Sequence, residues 1–436
     1  MTRLLSIELR RSATLGAALL IALTGAIVLH ATAGRWSAGW LALAMTEREY
    51  LAFLAPLAMA AGAWQSYREH RANVAELFAA APLPRPRRVV PILVTTGLGV
   101  VAAYLLAFLA AAPRIVGTAR YLPATVLVVV AVGLVAMTAS VWLGLAVGRL
   151  IPALATAPAL AVTGFALLVF VPHALPDGGV AAAFSPSMGM SMFSDYDTVA
   201  GGVSLAQALW TGAVAVAALV LFAVADRRFA PAALVPLAIG AVVTALLVPT
   251  GDAYDRGRLD PVAQEPVCTA DTPRVCVSRA HEGLLPEVAA KARNALELLP
   301  TESVTEAHED TTTLFPPTSP APRADTALME ITVGADGRLA HPGRLEPAVL
   351  TGVFTGPAHC GDIRNFPVAT AAAYWLLDRE PAAGPDGLEF DDPEAVEMWK
   401  GLKALEPAEA RARVADVHRA AQRCRDTAGL LSGSAS

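Results

Sequence analysis

The chain has 436 residues, 55% of them hydrophobic and only 16% charged, whereas soluble globular domains carry about 25% charged residues. This excludes a collagen-like, a disordered or a small disulfide-only chain, and it disfavours a wholly soluble protein. Residues 1–250 hold 15 Arg, no Lys and 9 acidic residues, a balance of +6, while residues 251–436 hold 18 basic and 29 acidic residues, a balance of −11. The two parts are suited to different surroundings.

In chain order, the opening segment MTRLLSIELRRS sets Leu4, Leu5, Ile7 and Leu9 among polar residues, the pattern of a short helix lying at a membrane surface. Seven uncharged stretches follow, each long enough for a hydrocarbon core of ~30 Å, which takes about 20 apolar residues in a helix. They run from Ser12 to Gly34, Tyr50 to Tyr67, Val89 to Pro113, Tyr121 to Gly148, Leu150 to Pro176, Thr198 to Ala225 and Phe229 to Gly251. None contains Asp, Glu, Lys or Arg. Proton-coupled transport generally needs such a group near the midplane, so it is disfavoured.

Arginine placement sets the orientation, because short cytoplasmic loops retain positive charge. Arg3, Arg10 and Arg11, then Arg68, Arg71, Arg85, Arg87 and Arg88, then Arg149, Arg227 and Arg228 place 11 on one side; Arg35, Arg48, Arg114 and Arg120 place 4 on the other. The amino terminus is expected in the cytoplasm and, after seven crossings, the carboxyl half outside. Ala31-Thr32-Ala33 imitates a signal-peptide cleavage site, but cleavage there leaves the downstream topology unchanged. Trp36, Trp40, Tyr50, Trp64, Tyr67 and Tyr121 fall near span ends, where Trp and Tyr favour the interface.

Between the second and third spans, QSYREHRANVAELFAAAPLPRPRR begins charged, continues with Val74, Leu77, Phe78 and Ala81 on one helical face, and ends in Pro82, Pro84 and Pro86. It reads as a cytoplasmic amphipathic element, or as a solvated loop whose arginines obey the topology rule. The outer stretch from His173 to Ala206 contains FSPSMGMSMF between glycine pairs, consistent with a re-entrant or interfacial helix or with a surface loop.

From Asp252 the chain reads as α+β. Strands are predicted over Arg274 to Val277 and Leu328 to Val333, the latter turning through Gly334 to Gly337 into Arg338 to His341 as a hairpin. Helices are predicted over Leu285 to Leu299, Pro367 to Arg379, Pro393 to Leu405 and Pro407 to Ala428. In the last of these, Val414, Val417, Ala421 and Cys424 share a face, which places Cys424 on the buried side. The Pro- and Thr-rich run Thr311 to Pro322 is expected to be an exposed insertion.

All four cysteines, Cys268, Cys276, Cys360 and Cys424, lie in the half that the arginines place outside, where disulfides persist. Three pairings are possible; the favoured one joins Cys268 to Cys276 and Cys360 to Cys424. Cys268, Cys276, His281, His359 and Cys360 include zinc-ligand types, but their spacing matches no common zinc pattern, so no metal is expected.

Catalytic motifs are missing from the sequence. There is no G-x-x-x-x-G-K-[ST], and the only lysines, Lys291, Lys400 and Lys403, follow no such loop, so this chain does not itself bind ATP through a P-loop. His281-Glu282 and His308-Glu309 lack the second His of H-E-x-x-H, and no G-x-S-x-G occurs. The expectation is a non-enzyme without cofactors and without a nucleic-acid partner.

The amino-terminal MTRLLSIELRR, the segment REHRANVAELFAAAPLPRPRR between the second and third spans, and the long outer stretch between the fifth and sixth together resemble permease subunits of ABC-type-two (ABC-2) transporters over residues 1–228. The resemblance implies a dimer of permease subunits pairing with a separate ABC ATP-binding subunit, with Arg68, Glu69, His70, Arg71 and Glu76 at the ATPase-coupling interface. A seventh span and an appended outer domain depart from that family's six-span form, and Val267 to Val277 resembles the opening of uncharacterised carboxyl-terminal regions on related membrane proteins. The reading is thus an α-helical polytopic membrane protein of about seven transmembrane helices, a permease-like domain over 1–251, followed by a small α+β, disulfide-bonded extracytoplasmic domain over 252–436. The alternative is a non-transporting membrane anchor or sensor whose outer domain binds an envelope ligand.

Overall fold

The structure, a computed structural model, describes residues 14–71, 85–174, 183–223, 227–247, 257–299, 304–314, 317–318, 323, 325–356, 365–381 and 392–431. The predicted surface helix before Ser12, the amphipathic face at Val74 to Ala81, His359 and Cys360 lie outside these residues, and with Cys360 the predicted Cys360–Cys424 bond. The chain forms two compact units: one holds Leu122–Asp260 and the residues before Thr118, the other Thr118–Tyr121 and the residues from Pro261 onward.

The first unit is a helical bundle. Its helices are α1 (Thr14–Ala31), α2 (Trp40–Glu49), α3 (Leu51–Arg71), α4 (Arg85–Ala111), α5 (Thr125–Leu150), α6 (Thr156–Ala174), α7 (Gly201–Ala223) and α8 (Leu234–Leu247). Five apolar helical segments are long enough to cross a bilayer: Thr14–Ala31, Val89–Arg114, Thr125–Leu150, Gly201–Ala223 and Ala230–Leu247. Helix α3 has 21 residues but is not among them, since its carboxyl-terminal turns carry Gln65, Ser66 and Glu69 as well as Arg68, His70 and Arg71. Helix α1 shows why these segments lack amphipathic periodicity: Ile21, Gly25 and Leu29 are buried on one face, while Leu19, Leu23 and Ile27 stand exposed on the other. Both faces are apolar, as suits a helix whose outer face meets lipid.

Size decides the closest contact. Gly62 of α3 and Gly144 and Gly148 of α5 bring two backbones together: a Cβ at Gly144 would overlap the Met59 carbonyl, one at Gly148 would lie 2.6 Å from Ala63 Cα, and one at Gly62 2.7 Å from the Leu145 amide. The Ser66 hydroxyl donates to the Leu145 carbonyl at 2.8 Å and closes the same seam. Helices without a hydrophobic driving force between them associate through such close approach.

Three expectations change here. The stretch between the first two spans contains α2, too short to cross a membrane, and its residues Ala42 to Arg48 are all buried. The charge-gap reading made Arg48 a loop cation, whereas the structure packs it in the core. Trp36 is fully buried, its indole N–H donating to the Leu29 carbonyl at 2.8 Å, so it locks the end of α1 instead of anchoring at an interface. The FSPSMGMSMF region is a packed turn with Ser185, Pro186, Ser187 and Met190 buried; it leads into β1 (Asp197–Val199), antiparallel to β2 (Gly257–Leu259).

The second unit is built around a four-stranded sheet of order β3 (Pro266–Cys268), β4 (Arg274–Ser278), β5 (Glu306–Glu309) and β8 (Thr326–Met329). Strands β3 and β4 are antiparallel, while β4, β5 and β8 run parallel. A parallel neighbour needs a crossover, which α9 (Leu285–Glu297) supplies between β4 and β5. Val288, Ala292 and Ala295 of α9 meet Val275, Ala307 and Ala327 of the sheet in one core with α10 (Leu345–Thr355), α11 (Phe366–Leu376), α12 (Pro393–Lys403) and α13 (Pro407–Gln422). Proline follows the start signals as expected: the Asn365 side chain caps α11 before Pro367, and Asp392 caps α12 before Pro393. Helix α10, which the sequence reading passed over, ends at Gly356 with φ 79°, where a Cβ would meet the Ala421 carbonyl at 2.6 Å.

Cys268 and Cys276 face one another across β3 and β4 and form the favoured disulfide. Cys424 is half-buried and lies past the end of α13 in a left-handed conformation, so the helical face predicted to bury it stops at Ala421. The predicted Leu328–His341 hairpin is reduced to a single bridge between Val333 and Leu339. Within the Thr311 to Pro322 run, β6 (Thr313–Leu314) pairs with β7 (Pro317–Thr318), the Thr313 and Thr318 hydroxyls lie 2.7 Å apart and Thr313 is buried, so this part is a folded hairpin.

Two outcomes are expected. Gly144→Val forces the α3–α5 seam apart and destabilises the purified protein by about 1–3 kcal/mol or more, whereas Gly212→Ala, with open space at its Cβ, leaves the thermal unfolding temperature unchanged. Replacing both Cys268 and Cys276 by Ser removes a loop constraint worth about 2.6 kcal/mol, read as a lower denaturation midpoint of the second unit.

Candidate functional site

Two features of the first unit carry chemistry. At the end of α3, Arg68, His70 and Arg71 are exposed and Glu69 is half-buried, accepting from the Gln65 amide at 3.0 Å. Arg68 and Arg71 are three residues apart, so they stand on neighbouring positions of one helical face. The seam at Gly62 and Ser66 holds the preceding turns, which makes the charged end the rigid continuation of a buried helix. Glu76, the fifth residue of the predicted interface, lies outside the described residues.

The second feature is a buried polar centre that no motif announced. Arg48 of α2 is fully buried; its Nε donates to the Pro186 carbonyl at 3.1 Å and its Nη2 to the Gln207 Oε1 of α7. The Gln207 amide in turn donates to the Ser185 carbonyl at 2.9 Å and the Met188 carbonyl at 3.0 Å. Two side chains thus satisfy three carbonyls of the 185–188 turn, the requirement for irregular backbone in a water-poor bundle. Burial pushes the Arg48 guanidinium down to about 10, partly offset by the neighbouring Tyr104, so it remains a cation at neutral pH.

Glu47, one residue earlier, points elsewhere. Its side chain is fully buried and neither carboxylate oxygen has a hydrogen-bond partner. The Tyr104 hydroxyl of α4, likewise buried and unbonded, lies in electrostatic reach, seated over Gly133, where any Cβ would overlap it. Burial pushes the Glu47 carboxyl well above the usual carboxylate range, opposed only by the nearby Phe108 backbone.

In the second unit, Ser278, His281 and Glu309 are buried together. The Ser278 amide donates to Glu309 Oε2 at 2.6 Å, while Glu309 Oε1 and the Ser278 hydroxyl lie 2.6 and 3.3 Å from the same His281 Nδ1. A nucleophile relay sets serine and acid on opposite ring nitrogens; this arrangement instead ties the end of β4 to the end of β5. His308 Nε2 lies 2.9 Å from Glu306, which also faces Arg323 at 3.3 Å and Arg274 at 3.8 Å. Among the described residues no cluster of three or more His, Cys, Asp or Glu side chains is placed to hold a metal.

Searches against protein-family models, curated proteins and solved structures returned no match.

Glu47, Arg48, Tyr104 and Gln207 escaped the sequence reading for separable reasons. Charges served there as span boundaries, so Glu47 and Arg48 were assigned to a loop by construction. Gln207 and Tyr104 lie within apolar stretches, where polar side chains usually mark interhelical bonding, and that was the available signal.

Gln207→Leu leaves the Arg48 charge and two turn carbonyls without their partner. The expected loss is about 2–3 kcal/mol of stability, measured by thermal unfolding in detergent. Arg48→Met combined with Gln207→Leu is expected to recover part of it, because no buried charge is then left unpaired.

Proposed function

We propose that the chain is the membrane-embedded, permease-like subunit of an ABC-2-type exporter that pairs with a separately encoded ATPase and works as a dimer of permease subunits in the cell membrane. The observation that carries this reading is α3, a buried apolar helix that emerges into an exposed end bearing Arg68, His70 and Arg71, followed in sequence by the Pro- and Arg-rich segment to Arg88. An ATPase that closes on ATP needs a stiff lever to push. Because α3 touches α5 backbone to backbone at Gly62, Gly144 and Gly148, force on its end is delivered to the bundle instead of being absorbed by side-chain repacking.

The finer topology belongs to the same proposal. Helices α1 and α3–α8 fall one to each of the seven uncharged stretches, which supports seven crossings, and the arginine asymmetry supports a cytoplasmic amino terminus. The Cys268–Cys276 disulfide supports an extracytoplasmic second unit. The sequence holds no P-loop, so ATP is the partner's substrate, and cargo moves along the interface of two permease subunits. The anchor or sensor reading is favoured by one observation, the separate core of the second unit, which suits a ligand-recognising module.

The test is co-purification of the full chain with its candidate ATP-binding subunit and measurement of ATP turnover. Replacing Arg68 and Arg71 together by Glu is expected to weaken association by about tenfold or more, or 1.4 kcal/mol, and to reduce coupled turnover while the bundle remains folded. Wild-type coupling in that variant removes the interface assignment, and an intact chain that neither binds nor affects any ATPase leaves the anchor reading.

A further inference from the structure

We propose that Glu47 is a proton-binding site: its carboxyl is held as the neutral acid while α2 is seated between the helices, and it gives up its proton to water only when α2 leaves that seat.

The case rests on what surrounds the side chain. Glu47 is fully buried, as is every residue from Ala42 to Arg48. Neither cation near it is bonded to it. Arg48 bonds the Pro186 carbonyl and Gln207 through Nε and Nη2, and its buried Nη1 has no hydrogen-bond partner among the described residues. Arg35 is paired with Glu49 at 2.7 Å. Of the remaining titratable groups on the packed elements, Tyr50 donates its hydroxyl to Thr32 at 2.8 Å, and Asp197 accepts from the Phe193 amide at 2.6 Å and from Ser194. That leaves the Tyr104 hydroxyl, buried and without a hydrogen bond, as the polar group within electrostatic reach of Glu47. The helix that carries it packs into an apolar cluster: Ala44, Met45, Val126, Val129, Met190 and Val203 are grouped there with Phe108 and Trp40 packed against them.

A carboxylate in such a place has no paired cation and no side-chain hydrogen-bond donor, only the nearby Phe108 backbone working against its burial, and an unpaired buried charge is strongly disfavoured. Protonation removes that cost and converts the group into an O–H donor of ordinary polarity. The neighbouring Glu49 is partly exposed and pairs with Arg35 at 2.7 Å, whereas Glu47, two residues away, is fully buried and has no such partner.

The consequence for stability has a definite sign. A carboxyl bound more tightly to its proton in the folded state stabilises that state fully below the ordinary carboxyl range, and the contribution is lost as pH rises toward the folded-state value. Alkaline conditions therefore favour release of α2, and acidic conditions favour its seating.

The experiment is infrared spectroscopy of the purified full chain in detergent, reading the carbonyl stretch of protonated carboxyl groups. At neutral pH the wild-type protein is expected to show such a band, Glu47→Gln to lack it, and Glu47→Asp to shift its frequency and the pH at which it vanishes. The unfolding temperature of the wild type is expected to fall relative to Glu47→Gln as pH rises from about 5 to about 8. Wild-type and Glu47→Gln spectra that coincide at neutral pH overturn the assignment. So does a stability gap independent of pH. Should Glu47→Gln not fold, the remaining comparisons decide: a wild-type spectrum with no protonated-carboxyl band at neutral pH, or a band that Glu47→Asp leaves unmoved, refutes the site.

Discussion

The contact between α3 and α5 is the constraint on which the rest of the first unit depends. Gly62, Gly144 and Gly148 allow two backbones to meet where any side chain would collide, and Ser66 adds a hydrogen bond to the Leu145 carbonyl across the seam. Helix α3 has 21 residues, a rod of about 32 Å at 1.5 Å per residue. Its first turn follows directly on α2, which carries Glu47 and Arg48, and its last turn carries Arg68, His70 and Arg71. The buried polar centre on α2 and the exposed basic end of α3 therefore belong to consecutive helices joined at Tyr50, the second of which carries Pro56 in its first half.

That geometry explains where polarity is tolerated. The long apolar helices hold no Asp, Glu, Lys or Arg in their centres because nothing there satisfies one; Glu47 and Arg48 are buried instead on a helix of only 10 residues between them, and the buried Asp197 lies on β1 with amide and hydroxyl donors. Arg48 is retained because it closes the carbonyls of an irregular turn, work that in water the solvent would do. Glu47 closes nothing.

How much of this was legible in the residues follows from the same physics. The apolar helices could be read because uncharged stretches of bilayer length mark them, five of them being long and apolar enough to cross a membrane, and the disulfide because Cys268 and Cys276 flank a short turn. The Pro-led helices of the second unit were legible from their start signals, with ends displaced by a few residues where Ala-rich sequence gives no stop. Helix α2 was not legible, since a method that treats charge as a boundary cannot find a helix whose charges are internal. The glycine seam was invisible for a different reason: Gly62, Gly144 and Gly212 look alike in sequence, and only the neighbour across the gap distinguishes a required glycine from a permissive one. Cys424 was misplaced because the spacing that buries Val414, Val417 and Ala421 was extended one step beyond the turn at which the helix stops.

The second unit obeys a different rule. Its sheet is parallel across β4, β5 and β8, and parallel strands are normally covered by helices, as α9 and α10 cover these. Strand β3 joins the edge in antiparallel sense and is fastened there by the Cys268–Cys276 bond, so an edge held by only one neighbour gains a covalent tie. Ser278 and Glu309 fasten the end of β4 to the end of β5, and His281, just beyond β4, meets the same carboxylate. Ser278, His281 and Glu309 thus lie within 3.3 Å of one another at the ends of β4 and β5, with the serine hydroxyl and the glutamate on the same ring nitrogen, whereas a catalytic relay places them on opposite ones.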